Sequence, residues 1–240
     1  MPKRHKLLAA NWKMNPAPKG FDMPIGPFRR THDVDVVVFP SALDIDKCVD
    51  AALVVGGQAA RPEETGAFTG DVSMAMLVAH GCQALLCGHS ERRRHHGETD
   101  GAIAEQVHAA IALNLLPFVC VGETAEERDA GRAQEVVGAQ LATILGSVNA
   151  PVVIAYEPVW AIGTGKTATP AEIQAMHSFI RSTLSPLLAE SPVIYGGSVK
   201  PENAAEIFAC EAVDGALVGG TALDPAAFAS ILESLRSSPQ

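Results

Sequence analysis

The 240-residue sequence has no uncharged apolar run long enough to cross a membrane, no N-x-[ST] sequon and no C-x-x-C pair. The first absence excludes a spanning helix. The third removes both a zinc ribbon and a disulfide framework, and the five cysteines, odd in number and scattered, read as the thiols of a reducing compartment. The basic start Met1–Lys6 is followed by only four apolar residues before Asn11. That is too short for the apolar core of a signal peptide, so the expected address is cytoplasmic. Positive charge is also scarce: 18 Lys and Arg face 27 Asp and Glu, a net charge of −9. Such a balance excludes a general binder of nucleic acid or anionic membrane and leaves room only for a local basic patch. There is no internal repeat, no low-complexity tract and no linker, so residues 1–240 are expected to form a single domain.

What is present is a recurrence of short apolar, Val-rich runs: LLAAN (7–11), VDVVVFP (34–40), ALVVGGQA (52–59), ALLCG (84–88), LPFVCVG (116–122), VVIAYE (152–157), PVIYGG (192–197) and GALVGG (215–220). They are continuous rather than alternating, the pattern of parallel strands covered on both faces. Helical stretches lie between most of them. Residues 124–145 open with a capping box, Thr124 with Glu127, and residues 169–184 do likewise, with Pro170 at the first helical position and Glu172 three residues after Thr169. The stretches from Pro201 and Pro225 also begin with proline just inside the helix. Eight strands with intervening helices, spaced as βα units, predict an eight-stranded parallel (β/α)8 TIM barrel.

One unit departs from the pattern. The segment PAPKGFDMPIGP (16–27) holds four prolines and two glycines, so the first crossover helix is predicted to be missing or irregular. Phe21, Met23, Ile25 and Phe28 are then expected to cover the outer face of the first two strands.

In this architecture active sites lie at the C-terminal ends of the strands. Those ends carry Asn11 and Lys13, Gln58, His89 and Glu91, Glu157, then Gly196, Gly197 and Ser198, and finally Gly219 and Gly220. Each has an ordinary reading taken alone: a solvated carboxylate, a histidine bonded to backbone, a surface lysine, a turn. Their convergence on one rim favours a site. Glycine loops let backbone N–H groups approach an anion, and the loops after the seventh and eighth strands are the recurrent phosphate site of this barrel class.

Two tempting motifs fail. GTGKT (163–167) lacks the first glycine of a phosphate-binding P-loop, because Trp160 stands at that position. The cluster HSERRRHHGETD (89–100) offers His89, His95, His96, Glu98 and Asp100, but without metal-ligand spacing and with three arginines in its middle, so no metal is expected. Cys120 reads as buried packing, with no neighbouring base to activate it.

The blocks NWKMN (11–15), GAFTGDVS (66–73), GHSERR (88–93), CVGET (120–124), AYEPVWAIGTGKTA (155–168), YGGSVKPENA (195–204) and LVGGTAL (217–223) resemble the signature blocks of the triosephosphate isomerase family, in order and over nearly the whole chain. The resemblance implies reversible interconversion of dihydroxyacetone phosphate and D-glyceraldehyde 3-phosphate, a step of glycolysis and gluconeogenesis, through an enediolate and with no cofactor. By motif match, Glu157 is the base, His89 polarises the carbonyl, Lys13 balances the charge of phosphate and enediolate, and Asn11 helps hold the substrate oxygen. Glu91 resembles a supporting residue near Lys13, and Gly163, Ser198, Gly219 and Gly220 match the phosphate donors. Residues 158–168 match a closing loop, hinged at Pro158–Trp160 and at Lys166–Ala168. Triosephosphate isomerase is itself the standard illustration of this base–histidine pair and of such closure. The resemblance also implies a homodimer through loop 66–70, with Thr69 beside the partner's Asn11 and the partner's Lys13. His96 departs from the family, which usually carries an aromatic before its GE pair. An inactive phosphate-binding barrel would be the alternative reading; its mark would be a damaged Glu157, His89 or Lys13. A barrel enzyme of another kind would carry metal ligands or a Schiff-base lysine within a strand.

Overall fold

The computed structural model describes residues 5–162 and 167–239. The strands are β1 Lys6–Asn11, β2 Val34–Phe39, β3 Gly56–Gly57, β4 Ala84–Cys87, β5 Leu116–Val121, β6 Val153–Tyr156, β7 Val193–Tyr195 and β8 Gly215–Val218. All pair in parallel, in the spatial order β2-β1-β8-β7-β6-β5-β4-β3. A parallel bridge between Val38 and Val55 joins the two ends of that order. The sheet is therefore the expected TIM barrel, closed between β2 and β3 by that bridge.

Strands covered on both faces need two cores, and two are present. Leu7, Ala9, Val37, Phe39, Leu86, Phe118, Ala155, Ile194 and Leu217 fill the barrel, where Phe39 meets Phe118 edge-on at 5.0 Å. The alternate residues, such as Leu8, Ala10, Val36, Val38, Leu85 and Val119, face outward into the larger layer beneath the helices. The helices are α1 Ile45–Asp50, α2 Met74–Ala79, α3 Ser90–His96, α4 Asp100–Ala112, α5 Ala125–Asp129, α6 Ala133–Leu145, α7 Pro170–Thr183, α8 Pro201–Phe208 and α9 Pro225–Ser237. Both expected capping boxes form, at Thr124–Glu127 and Thr169–Glu172. The single helix expected over 124–145 is instead two. Gly131 takes a φ of +72° and Arg132 N–H reaches back to the Glu127 carbonyl at 2.9 Å, a left-handed cap that ends α5 and starts α6.

The first crossover holds no helix between Asn11 and Val34. It is a chain of turns closed by Phe21 N–H on Pro18 O and Arg29 N–H on Gly26 O, and aromatic packing pins it. Phe28 is fully buried and stacks on Phe228 of α9 at 4.8 Å, while Trp12 meets Phe28 and Phe21 edge-on at 5.3 and 5.9 Å. Only half of the expected apolar cover is realised, because Met23 is 55% and Ile25 95% exposed. Ile25 stands in the turn between Pro24 and Gly26, which carries its side chain away from the barrel.

At the opposite end of the barrel, the buried Lys6 donates from Nζ to the carbonyls of Leu235, Arg236 and Ser238 at 2.8, 3.0 and 2.9 Å. Leu235 and Arg236 lie in the last turn of α9 and Ser238 caps it, where carbonyls lack helical partners and the helix dipole favours a cation. Lys6→Met removes all three donors at once. We expect it to lower stability by about 2–3 kcal/mol, which corresponds to roughly 5–10 °C in Tm for a chain of this size. Thermal unfolding followed by circular dichroism checks this, and an unchanged Tm would show that the clamp contributes nothing.

Candidate active site

The polar residues that end the strands meet in one cleft of about 380 Å³, lined by Asn11, Lys13, His89, Glu91, Glu157, Gly196, Gly197, Ser198, Gly219 and Gly220 among others. Every described rim residue expected to act is there except Gln58. Gly163 lies outside the described residues, as do Thr164, Gly165 and Lys166.

Glu157 follows β6 directly and is only 2% exposed. Its backbone N–H is held by Val121 O at 2.7 Å. Its carboxylate is gripped twice: Oε2 accepts from the Ser90 backbone N–H at 2.8 Å, and Oε1 lies 3.1 Å from His89 Nε2. Two glycines make the room. A Cβ on Gly122 would fall 1.8 Å from Glu157 O, and one on Gly196 would fall 2.8 Å from its Cγ. The carboxylate is thus largely shielded from water and lines the cleft, where a bound substrate would meet it.

His89 caps α3, and its Nδ1 accepts the Glu91 backbone N–H at 3.2 Å. A nitrogen that accepts does not carry the ring hydrogen, so the tautomer places it on Nε2, facing Glu157 and the cleft. The backbone therefore fixes the tautomer needed to donate to a developing oxyanion.

Lys13 sits in the left-handed region, with φ +52°, unusual for a side chain of this kind. Three contacts hold it there. Its N–H donates to Asn11 Oδ1 at 3.0 Å, its carbonyl accepts from Gln58 Nε2 at 2.8 Å, and its Nζ meets Glu91 Oε1 at 2.6 Å. Gln58 so acts behind the cleft, tying Lys13 to Phe39 O at the end of β2. Burial pushes the Glu91 carboxyl up, but the Lys13 ammonium outweighs it and holds Glu91 below the usual carboxylate range. On the far side, the short helical turn Gly220–Leu223 begins at the glycine loop. Its leading N–H groups are of the kind that receive an anion.

Cys120 is fully buried inside the barrel, and burial together with the Glu157 charge raises its thiol well above the ordinary value, which leaves it inert. The histidine–acid cluster of 89–100 is tied up by arginine: Arg92 pairs with Glu98 at 2.9 Å and Arg93 with Asp100 at 2.5 Å. Among the described residues no group of three or more His, Cys, Asp or Glu is placed to hold a metal ion.

The segment after Glu157 is supported by residues that carry no recognisable pattern in the sequence. Glu123 is fully buried; its Oε1 accepts from Trp160 Nε1 at 2.8 Å and from the Tyr156 hydroxyl at 3.1 Å. Arg128 lies 3.5 Å from the same oxygen, stacks over the Trp160 ring at 4.3 Å and pairs with Glu172 at the start of α7. One guanidinium thus holds the chain on both sides of residues 163–166. The only signal for it was CVGET, whose Gly122 and Glu123 had no assigned role.

A family model described as triosephosphate isomerase matches residues 6–235. The chain is 44% identical to the triosephosphate isomerase of Alkalilimnicola ehrlichii, over 97% of this chain and 99% of that protein. It is 46% identical to that of Moorella thermoacetica, over 95% and 98% respectively. For that of Herminiimonas arsenicoxydans the identity is 41%, over 96% and 99%.

Proposed function

The chain belongs to the triosephosphate isomerase family, and on that premise we propose how its rim carries out the aldose–ketose interconversion of triose phosphates. Glu157 takes a proton from the carbon beside the substrate carbonyl and returns it to the neighbouring carbon. His89 donates from Nε2 to the oxygen that becomes negative, Lys13 balances the charge, and Asn11 positions the substrate oxygen. The observation that carries this reading is the 3.1 Å approach of His89 Nε2 to Glu157 Oε1 in a cleft whose other wall is the Ser198, Gly219 and Gly220 loops. A carbon acid next to a carbonyl is weak. A positioned base contributes about 10²–10⁴-fold, so stabilisation of the enediolate by His89 and Lys13 must supply much of the rest. Gly163 is assigned to the phosphate by its motif alone.

The domain is read as one catalytic unit of the cytoplasm, acting as a homodimer. Met14, Leu43, Phe68 and Met76 are 96%, 90%, 38% and 49% exposed, on or beside the loops that follow the adjacent strands β1, β2 and β3. A second copy would bury them, with Thr69 docking beside Lys13. Thr69→Arg is therefore expected to shift sedimentation toward monomer on dilution and to lower activity in parallel. A wild type that is monomeric and fully active at micromolar concentration would refute the dimer. The function itself is tested by a coupled assay with glyceraldehyde 3-phosphate in the presence of a chelator. Turnover is expected to be undiminished, and a well-folded sample without turnover would overturn the reading.

A further inference from the structure

Helix α3 carries three consecutive arginines, and among the described residues two of them have partners. Arg92 pairs with Glu98, and Arg93 is held by Asp100 and by the carbonyls of Gly88 and Cys120. Arg94 is exposed, lines the cleft, and has no hydrogen bond or ion pair among the described residues. Three strands round the barrel, Lys200 at the start of α8 lines the same cleft, is exposed, and has no carboxylate partner among the described residues.

These two cations set the sign of the mouth. Lys13 and Glu91 neutralise one another at 2.6 Å, and Glu157 adds a negative charge. No other described lining residue is a lysine, an arginine or a carboxylic acid. Without Arg94 and Lys200, the described lining would be anionic, on a protein of net charge −9. With them, the described lining is net positive, and a cleft walled by protein focuses that field outward.

We propose that Arg94 and Lys200 are steering cations: they draw the phosphorylated substrate to the cleft and act on the encounter, not on the reacting atoms. This rests on the isomerase reading only for the identity of the anion.

The test compares wild type with Arg94→Gln, Lys200→Gln and the double variant over ionic strengths from about 10 mM to about 0.5 M, where the screening length falls from roughly 30 Å to a few ångströms. The double variant is expected to lose about 5- to 20-fold in kcat/KM at low salt. It should converge on wild type at high salt and keep kcat and Tm unchanged, with each single variant in between. The association rate of phosphoglycolate, a non-reacting phosphorylated acid, read by tryptophan fluorescence, should show the same loss and the same convergence. That second readout does not depend on turnover, so a failure of the isomerase reading would leave the steering result legible. An unchanged kcat/KM and association rate at low salt would overturn the proposal. So would a loss that persists undiminished at high salt, which would place the two side chains in contact with the bound ligand.

Discussion

Replacing Glu157 with glutamine is expected to lower kcat at least about 100-fold while leaving the affinity for a phosphorylated analogue little changed. The substitution keeps the side-chain shape that packs on Gly196 and keeps an oxygen for the Ser90 N–H. It removes the lone pair that takes the proton. The Ser198, Gly219 and Gly220 loops are untouched, so the phosphate is still held. Steady-state kinetics beside an inhibition constant separates the two effects. A variant with near-normal kcat would show that the base lies elsewhere.

His89→Asn is the second large effect. Asparagine places an oxygen near the position of Nδ1, where it can still accept the Glu91 N–H and cap α3, a role at which it is favoured. What it removes is Nε2. If that N–H stabilises charge formed only in the transition state, kcat and kcat/KM should fall together by about 10²–10³-fold, with substrate binding and Tm close to wild type. Near-normal kcat in a folded variant would move the polarising role to Lys13 and Asn11. A collapse of Tm would instead mark His89 as the cap of α3 first. Because Nδ1 accepts from backbone in the free protein, the tautomer does not depend on substrate.

The parts of this site that could be read from sequence share one physical cause. A parallel strand buried on both faces must be apolar throughout, so the first polar side chain after such a run marks the rim. Asn11, His89 and Glu157 each stand at that point. The prolines and glycines of 16–27 likewise announced a crossover without a helix, as found. The rest depended on partners remote in sequence. Glu123 reads as one more acid before a helix cap, and nothing local shows that it is buried against Trp160, 37 positions on. Arg128 reads as a surface charge of a capped helix until α7 brings Glu172 against it. Hydrophobicity alone also misjudged the irregular crossover. Phe28 finds the Phe228 ring to stack on, whereas Ile25 is placed outward by the turn that holds it.

The central claim is that the rim moves a proton between adjacent carbons through Glu157. The most direct measurement is proton nuclear magnetic resonance of dihydroxyacetone phosphate turned over by the protein in deuterium oxide. A base that removes the proton and returns it through an enediolate exchanges it with solvent on the way. The account therefore predicts glyceraldehyde 3-phosphate bearing deuterium at carbon 2, at a rate lost with Glu157→Gln. Turnover with the original hydrogen wholly retained at carbon 2 and undiminished in Glu157→Gln would mean transfer directly between the carbons, and would contradict it.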